Sequence, residues 1–248
     1  MTPEEIFFFD NHGYLVVKNA LNLEELTRLN AIADLHYPEV SSQVQFHGNS
    51  ISQWGQDYVA LIDHPRILPY LLELIDSSFR IDHDYCIFMR HGARGMDLHG
   101  GEGHEGDHWY KWRDGRMRNG LTVVTYALSD CKAGDGGFIC IPGTHKGNYL
   151  QGIPREVVTQ ERRPDYVIQP PVAAGDAIIF TEALVHGTRA WSASYERRAL
   201  LYKYSPGYSA WSSNYYSIEK YEGLTDQQRR IMSPPSVGGR PDVVAPSR

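Results

Sequence analysis

Cysteine is scarce in this 248-residue sequence, and so are long apolar runs and excess positive charge. The three cysteines, Cys86, Cys131 and Cys140, are odd in number and far apart, with none of the paired spacings of a zinc or redox site. A disulfide framework is excluded, and buried thiols in a reducing compartment are expected. No stretch approaches the roughly 20 consecutive apolar residues of a membrane span. The opening Met1-Thr-Pro-Glu-Glu-Ile has no basic segment ahead of an apolar one, so no secretion signal is read and a cytoplasmic protein is expected. Net charge is −6 with both signs interspersed, which argues against a nucleic-acid surface.

What is present is ample apolar material. Hydrophobic residues make up 42% of the chain, enough for a sizeable core and against disorder. Thr2, Pro3 and Glu5 form a capping signal for a helix over 3–10, which Asn11-His-Gly13 breaks. Asn22 caps a second helix over 23–34, with Leu23, Leu26, Leu29 and Ile32 at helical spacing. A third covers 65–75 and a last one 224–232, while 37–57 and 100–119 read as polar loops. From Phe79 onward the pattern is about eight short β-branched or apolar strands between Gly and Pro turns, which indicates a sandwich or barrel. The chain is read as one domain over 1–248, with a largely helical N-terminal region (residues 1–78), a barrel (79–205) and a tail (206–248).

Two histidines follow strand-like runs, His99 in Met96-Asp-Leu-His-Gly-Gly-Glu102 and His186 in Phe180-Thr-Glu-Ala-Leu-Val-His. Arg197 and Arg198 lie just beyond, on a further strand. Two imidazoles and a strand-borne guanidinium match what a non-haem Fe(II) site with a dicarboxylate cosubstrate requires, because imidazole suits iron and a planar fork grips a carboxylate. The insert 104–118 concentrates His104, His108, Trp109 and Arg113 with further Lys, Trp and Arg. Such a loop suits a small polar substrate bearing carboxylate or phosphate groups.

Longer segments resemble the phytanoyl-CoA dioxygenase-like group of Fe(II)/2-oxoglutarate oxygenases. They are Phe9-Asp-Asn-His-Gly-Tyr-Leu-Val-Val, Leu98-His-Gly-Gly, Gly136-Gly-Phe-Ile-Cys-Ile-Pro-Gly-Thr-His-Lys146, His186-Gly-Thr188 and Arg197-Arg-Ala. The resemblance implies a double-stranded β-helix with flanking helices, with Fe(II), 2-oxoglutarate and O2 acting on a small molecule. It implies His99 and His186 as metal ligands and Arg197, with Arg198 as the fallback, on the far carboxylate of 2-oxoglutarate. Thr188, and less strongly Thr125, would bond that carboxylate. His145 is read as supporting the barrel. The departure is Gly101, where the family has Asp or Glu. Three explanations stand: a vacant position for chloride or water as in iron halogenases, a carboxylate from Glu102 or Asp107, or a degenerate site. Hydroxylation or oxidative dealkylation is the leading expectation. Halogenation and a non-catalytic cupin-like binding protein are the alternatives.

Overall fold

The computed structural model describes residues 1–39, 41–101 and 106–244. The strands, in chain order, are β1 (Tyr14–Val17), β2 (Gln45–Asn49), β3 (Arg80–Met89), β4 (Met96–His99), β5 (Tyr110–Arg113), β6 (Arg116–Asn119), β7 (Thr122–Ala127), β8 (Gly137–Cys140), β9 (Ala177–Thr181), β10 (His186–Arg189) and β11 (Arg197–Ser205). A six-stranded antiparallel sheet has the order β1-β9-β7-β11-β3-β2. A three-stranded sheet, β4-β10-β8, faces it. Ile87, Val123, Ile178, Phe180 and Leu201 from the large sheet meet Phe138 and Cys140 from the small one in the space between. This is the jelly-roll, double-stranded β-helix architecture, mainly β with flanking helices.

Side-chain alternation explains the layers. On β11, Ala199 and Leu201 point between the sheets, while Leu200, Tyr202 and Tyr204 point outward under the helices. Two of these helices are α1 (Pro3–His12) and α2 (Leu23–His36), each closed at its start by a full capping box from Thr2 and Asn22. Phe9, Leu29, Ala33, Leu68, Leu71 and Leu74 complete the outer core. Each fully buried side chain of Leu or Phe size contributes about 1.5–3 kcal/mol. The buried Tyr202 and Tyr204 hydroxyls donate to the Tyr58 and Ile62 carbonyls, so their burial leaves neither hydroxyl unpaired. Among the described residues no helix is long and apolar enough to cross a membrane.

Several local expectations change. β2, from the stretch 37–57 read as a loop, pairs with β3 and forms one edge of the large sheet, opposite β1 at the other. The expected loop 100–119 contains the β5–β6 hairpin. The run 166–168, one of the short apolar stretches of the second half, forms a single bridge, between Ile168 and Cys140. For β2 and for the hairpin, pairing with a neighbouring strand outweighs a weak local pattern.

Candidate metal centre

His99 ends β4 and His186 begins β10, and the two are direct cross-strand partners. Antiparallel pairing therefore sets side by side two residues far apart in sequence, with ring centroids 4.4 Å apart. Each ring is held by its Nδ1, 2.8 Å from the Asp97 carbonyl for His99 and 2.8 Å from the Leu184 carbonyl for His186. A carbonyl only accepts, so Nδ1 carries the proton and Nε2 presents a lone pair, the orientation a metal ligand needs. Burial lowers the pKa of His186 to about 4, so it is neutral at ordinary pH.

The third corner comes from a residue outside the sequence-based expectations. Glu182 follows β9 directly, and its Oε2 lies 3.7 Å from His186 Nε2. One ligand atom each from His99, Glu182 and His186 fall within 4.8 Å of one another. Burial pushes the Glu182 carboxyl up, but Lys203 above all, with His186 and His108, outweighs it and brings the pKa down to about 2. Lys203 Nζ sits 2.7 Å from Glu182 Oε1. One sequence signal was available. Glu182 is the single charged residue between Ala177 and Val185, and a buried acid is rare without a partner.

Gly100 and Gly101 pack against the backbone on either side of Glu182. The Gly101 N–H donates to the Glu182 carbonyl at 3.3 Å. A Cβ on Gly100 would stand 2.7 Å from the Leu184 carbonyl oxygen and 2.8 Å from that of Glu182. At Gly101, with φ +106°, a Cβ would meet Leu150 Cδ1 at 2.5 Å, within the apolar cluster outside the small sheet. The glycines let this loop press against the backbone that carries Glu182.

Of the carboxylates considered, Glu102 lies outside the described residues, as does His104. Asp107 is turned elsewhere: its carboxylate accepts from Ser205 Oγ at 2.7 Å and Ser209 Oγ at 2.9 Å. It ties the loop to the end of β11 and is not part of the candidate metal-ligand cluster of His99, Glu182 and His186.

Alternation on β11 separates the two arginines. Arg197 faces inward, buried, with Nη1 3.5 Å from Met89 Sδ and no carboxylate partner among the described residues. Arg198 faces outward and is neutralised by Glu196 at 2.6 Å and Asp34 at 2.6 Å, so the fallback role is removed. Gly137 gives the Arg197 guanidinium its room, since a Cβ there would lie 2.9 Å from Nε. Arg197, Thr125, Thr188, His99, His186 and Lys203 share one cavity of about 40 Å³. Within it Thr125 Oγ1 is buried and makes no hydrogen bond, whereas Thr188 sits half-buried. A guanidinium without a carboxylate and an unpaired hydroxyl in one enclosed space are a receptor for an anion.

The loop expected to deliver positive charge to the site does so only in part. His108 is buried, with Nε2 3.9 Å from Glu182 Oε2. Trp109 is half-buried under the Lys111 ammonium, 5.2 Å away. Arg113 is corrected: its side chain is 82% exposed beside Asp114, at the solvent end of the β5–β6 hairpin.

A model of the phytanoyl-CoA dioxygenase (PhyH) family matches residues 92–199. No curated protein matches the chain. Among solved structures, HygX from Streptomyces hygroscopicus with nickel and 2-oxoglutarate bound superposes with a TM-score of 0.77 at 20% identity, over 85% of this chain and 89% of that one. The non-haem α-ketoglutarate-dependent epimerase SnoN from nogalamycin biosynthesis gives 0.66 at 17% identity, over 97% of each chain. The carbocyclase SnoK from the same biosynthesis gives 0.65 at 18%, over 98% of this chain and 97% of that one. These likenesses establish the common fold. The matched residues 92–199 span the candidate metal centre and reach Arg197, and over them the chain is similar to the phytanoyl-CoA dioxygenase family.

Proposed function

We propose that the protein is an Fe(II)/2-oxoglutarate-dependent oxygenase that hydroxylates, or oxidatively dealkylates, a small polar metabolite. The observation that carries this is the cross-strand pair His99–His186, each ring fixed through Nδ1, with the ionised Glu182 at the third corner. Two imidazoles and one carboxylate with an open face are the donor set of non-haem Fe(II) oxygenases. HygX has been crystallised with 2-oxoglutarate and with iron, which supports carrying the cofactor pair over to this chain.

A ferrous ion with 2-oxoglutarate and O2 supplies decarboxylation of the cosubstrate to succinate and CO2, coupled to removal of a hydrogen atom from a substrate C–H bond. The chain's own residues prepare that chemistry. Arg197 pairs with the far carboxylate of 2-oxoglutarate, and Thr125 donates its unpaired hydroxyl to the same group, with Thr188 beside it. Lys203 holds the Glu182 carboxylate against rotation. Phe138, Phe180 and Leu201 line the cavity with apolar surface and keep water from it. On this reading the halogenase alternative loses the vacant corner that motivated it, because the carboxylate arrives from Glu182.

Purified protein is expected to bind one Fe(II) and to convert 2-oxoglutarate to succinate. His99→Ala, His186→Ala and Glu182→Ala should each reduce turnover by at least about 100-fold, since each removes a ligand. Wild-type iron affinity in Glu182→Ala would remove the proposed triad. Failure of the wild type to bind iron or consume 2-oxoglutarate would favour a non-catalytic binding protein.

A further inference from the structure

Beside the metal cavity lies a larger open cleft of about 580 Å³ that the proposed chemistry does not use. Its walls come from β2, from the first half of β3 and from the segment after β11. Asn49, Gln53, His83, Trp211, Asn214 and Tyr215 line it. Trp211 and Tyr215 are 46% and 49% exposed, large rings left half open to solvent inside a concave surface. The segment carrying them is fixed: the Trp211 and Ser212 N–H groups donate to Asp82 at 2.9 and 3.0 Å.

The charge in these walls is already committed. Asp82 is taken up by Arg80 at 2.9 Å, by His83 at 2.7 Å and by the two backbone donors. Asp84 accepts from Ser52 N and Oγ, each at 2.8 Å, and from the Tyr216 hydroxyl. What the cleft offers a ligand is therefore aromatic faces and neutral amide and hydroxyl groups, with Lys220 the one lysine or arginine among its lining residues. An anionic metabolite finds no paired cationic fork here. A polyhydroxylated ring, with apolar C–H faces and a rim of hydroxyls, matches both the rings and the amides.

The cleft abuts the metal centre through a short ladder. The Trp211 and His83 rings lie 5.0 Å apart, and His83 stacks on Tyr85 at 5.8 Å. Tyr85 lines the metal cavity, and Lys203, paired with Glu182, sits 5.5 Å from the Tyr85 ring and 5.9 Å from that of Trp211. We propose that this cleft binds an uncharged saccharide or saccharide-like polyol moiety of the substrate and leads its reacting carbon past Tyr85 and Lys203. The second half of this assignment rests on the oxygenase reading; the binding itself does not.

Saturation-transfer NMR on the full chain, with maltotriose as the neutral probe and citrate as the anionic one, tests the assignment. Transfer to the maltotriose ring protons is expected, undisturbed by excess citrate. It should fall at least about five-fold in Trp211→Ala and in the exposed-site variant Asn214→Ala, a loss of the size that removing one contact gives. Absence of transfer, equal transfer in a folded variant of either kind, or displacement by citrate would overturn it. Iron binding is read on the same wild-type sample. Saccharide transfer without iron binding keeps the cleft and removes the oxygenase reading, while iron binding without transfer does the reverse.

Discussion

Lys203 and Arg197 are both buried cations on the inner face of β11, and their surroundings give them different work. Lys203 has a carboxylate at 2.7 Å, and against the lowering effect of burial its pKa is raised by Glu182. Arg197 has no carboxylate partner among the described residues, its Nη1 lying against Met89 Sδ, and burial lowers its pKa. A desolvated guanidinium without an anion is costly, so binding a dicarboxylate there recovers energy that the fold forgoes. Arg197→Gln is expected to weaken 2-oxoglutarate binding by roughly 100-fold, the scale of a desolvated charge-assisted pair. Arg198→Gln should leave that affinity in place while lowering stability by about 1–3 kcal/mol through its lost bonds to Asp34, Asn30 and Glu196. Calorimetric titration with 2-oxoglutarate and denaturant unfolding of the two variants separate these outcomes. Equal loss of affinity in both would mean that the two faces of β11 are misassigned.

At the scale of elements, α1 is fastened to the barrel where the small sheet ends. His145, in the turn after β8, donates from Nε2 to the Asp10 carbonyl at 3.0 Å. Its Nδ1 makes no hydrogen bond and faces Gly13, whose missing Cβ would otherwise lie 2.6 Å away. The groups around it are Asp10, Lys146, His12 and the edge of the Tyr110 ring. Burial lowers the His145 pKa to about 4 despite the Asp10 hydrogen bond. Between about pH 6.5 and 4 the unfolded chain carries a proton here that the folded chain does not, so stability falls as pH falls through that window. From an unfolded pKa of about 6.5 and a folded one of about 4, the 2.5-unit gap amounts to about 3 kcal/mol. The difference in unfolding free energy between wild type and His145→Gln should therefore shrink with acidification across this range. A difference independent of pH would show that His145 does not titrate there.

For the whole molecule, the corner formed by His99, Glu182 and His186 joins the small sheet to the large one. His99 and His186 belong to β4 and β10, while Glu182 leaves β9 and is gripped by Lys203 of β11. An ion bound to all three cross-links both sheets and stabilises the native state alone. Nickel alone at about 100 times its dissociation constant should add about 2.7 kcal/mol. For a chain of this size that raises Tm by roughly 5–10 °C. Differential scanning calorimetry with and without a chelator measures it, and a rise of equal size in Glu182→Ala would place the metal elsewhere.

The patterns that repeat along the chain could be read before any coordinates: the capping boxes of α1 and α2, the strand-rich second half, and the run of His99, His186 and Arg197. Those signals are local or are carried by a family resemblance spread over many residues. Tertiary structure alone decided three matters. Strand pairing chose Arg197 over Arg198, because alternation assigns a face only once the sheet has an inside. The turn after β9 brought in Glu182, because a carboxylate at another backbone position can occupy the same point in space as one beside His99. The hairpin geometry sent Arg113 into solvent and left the aromatic cleft to the tail after β11. Spacing in sequence encodes what neighbours along one element can reach. Which remote backbones touch depends on packing, and that settled where each charge ended.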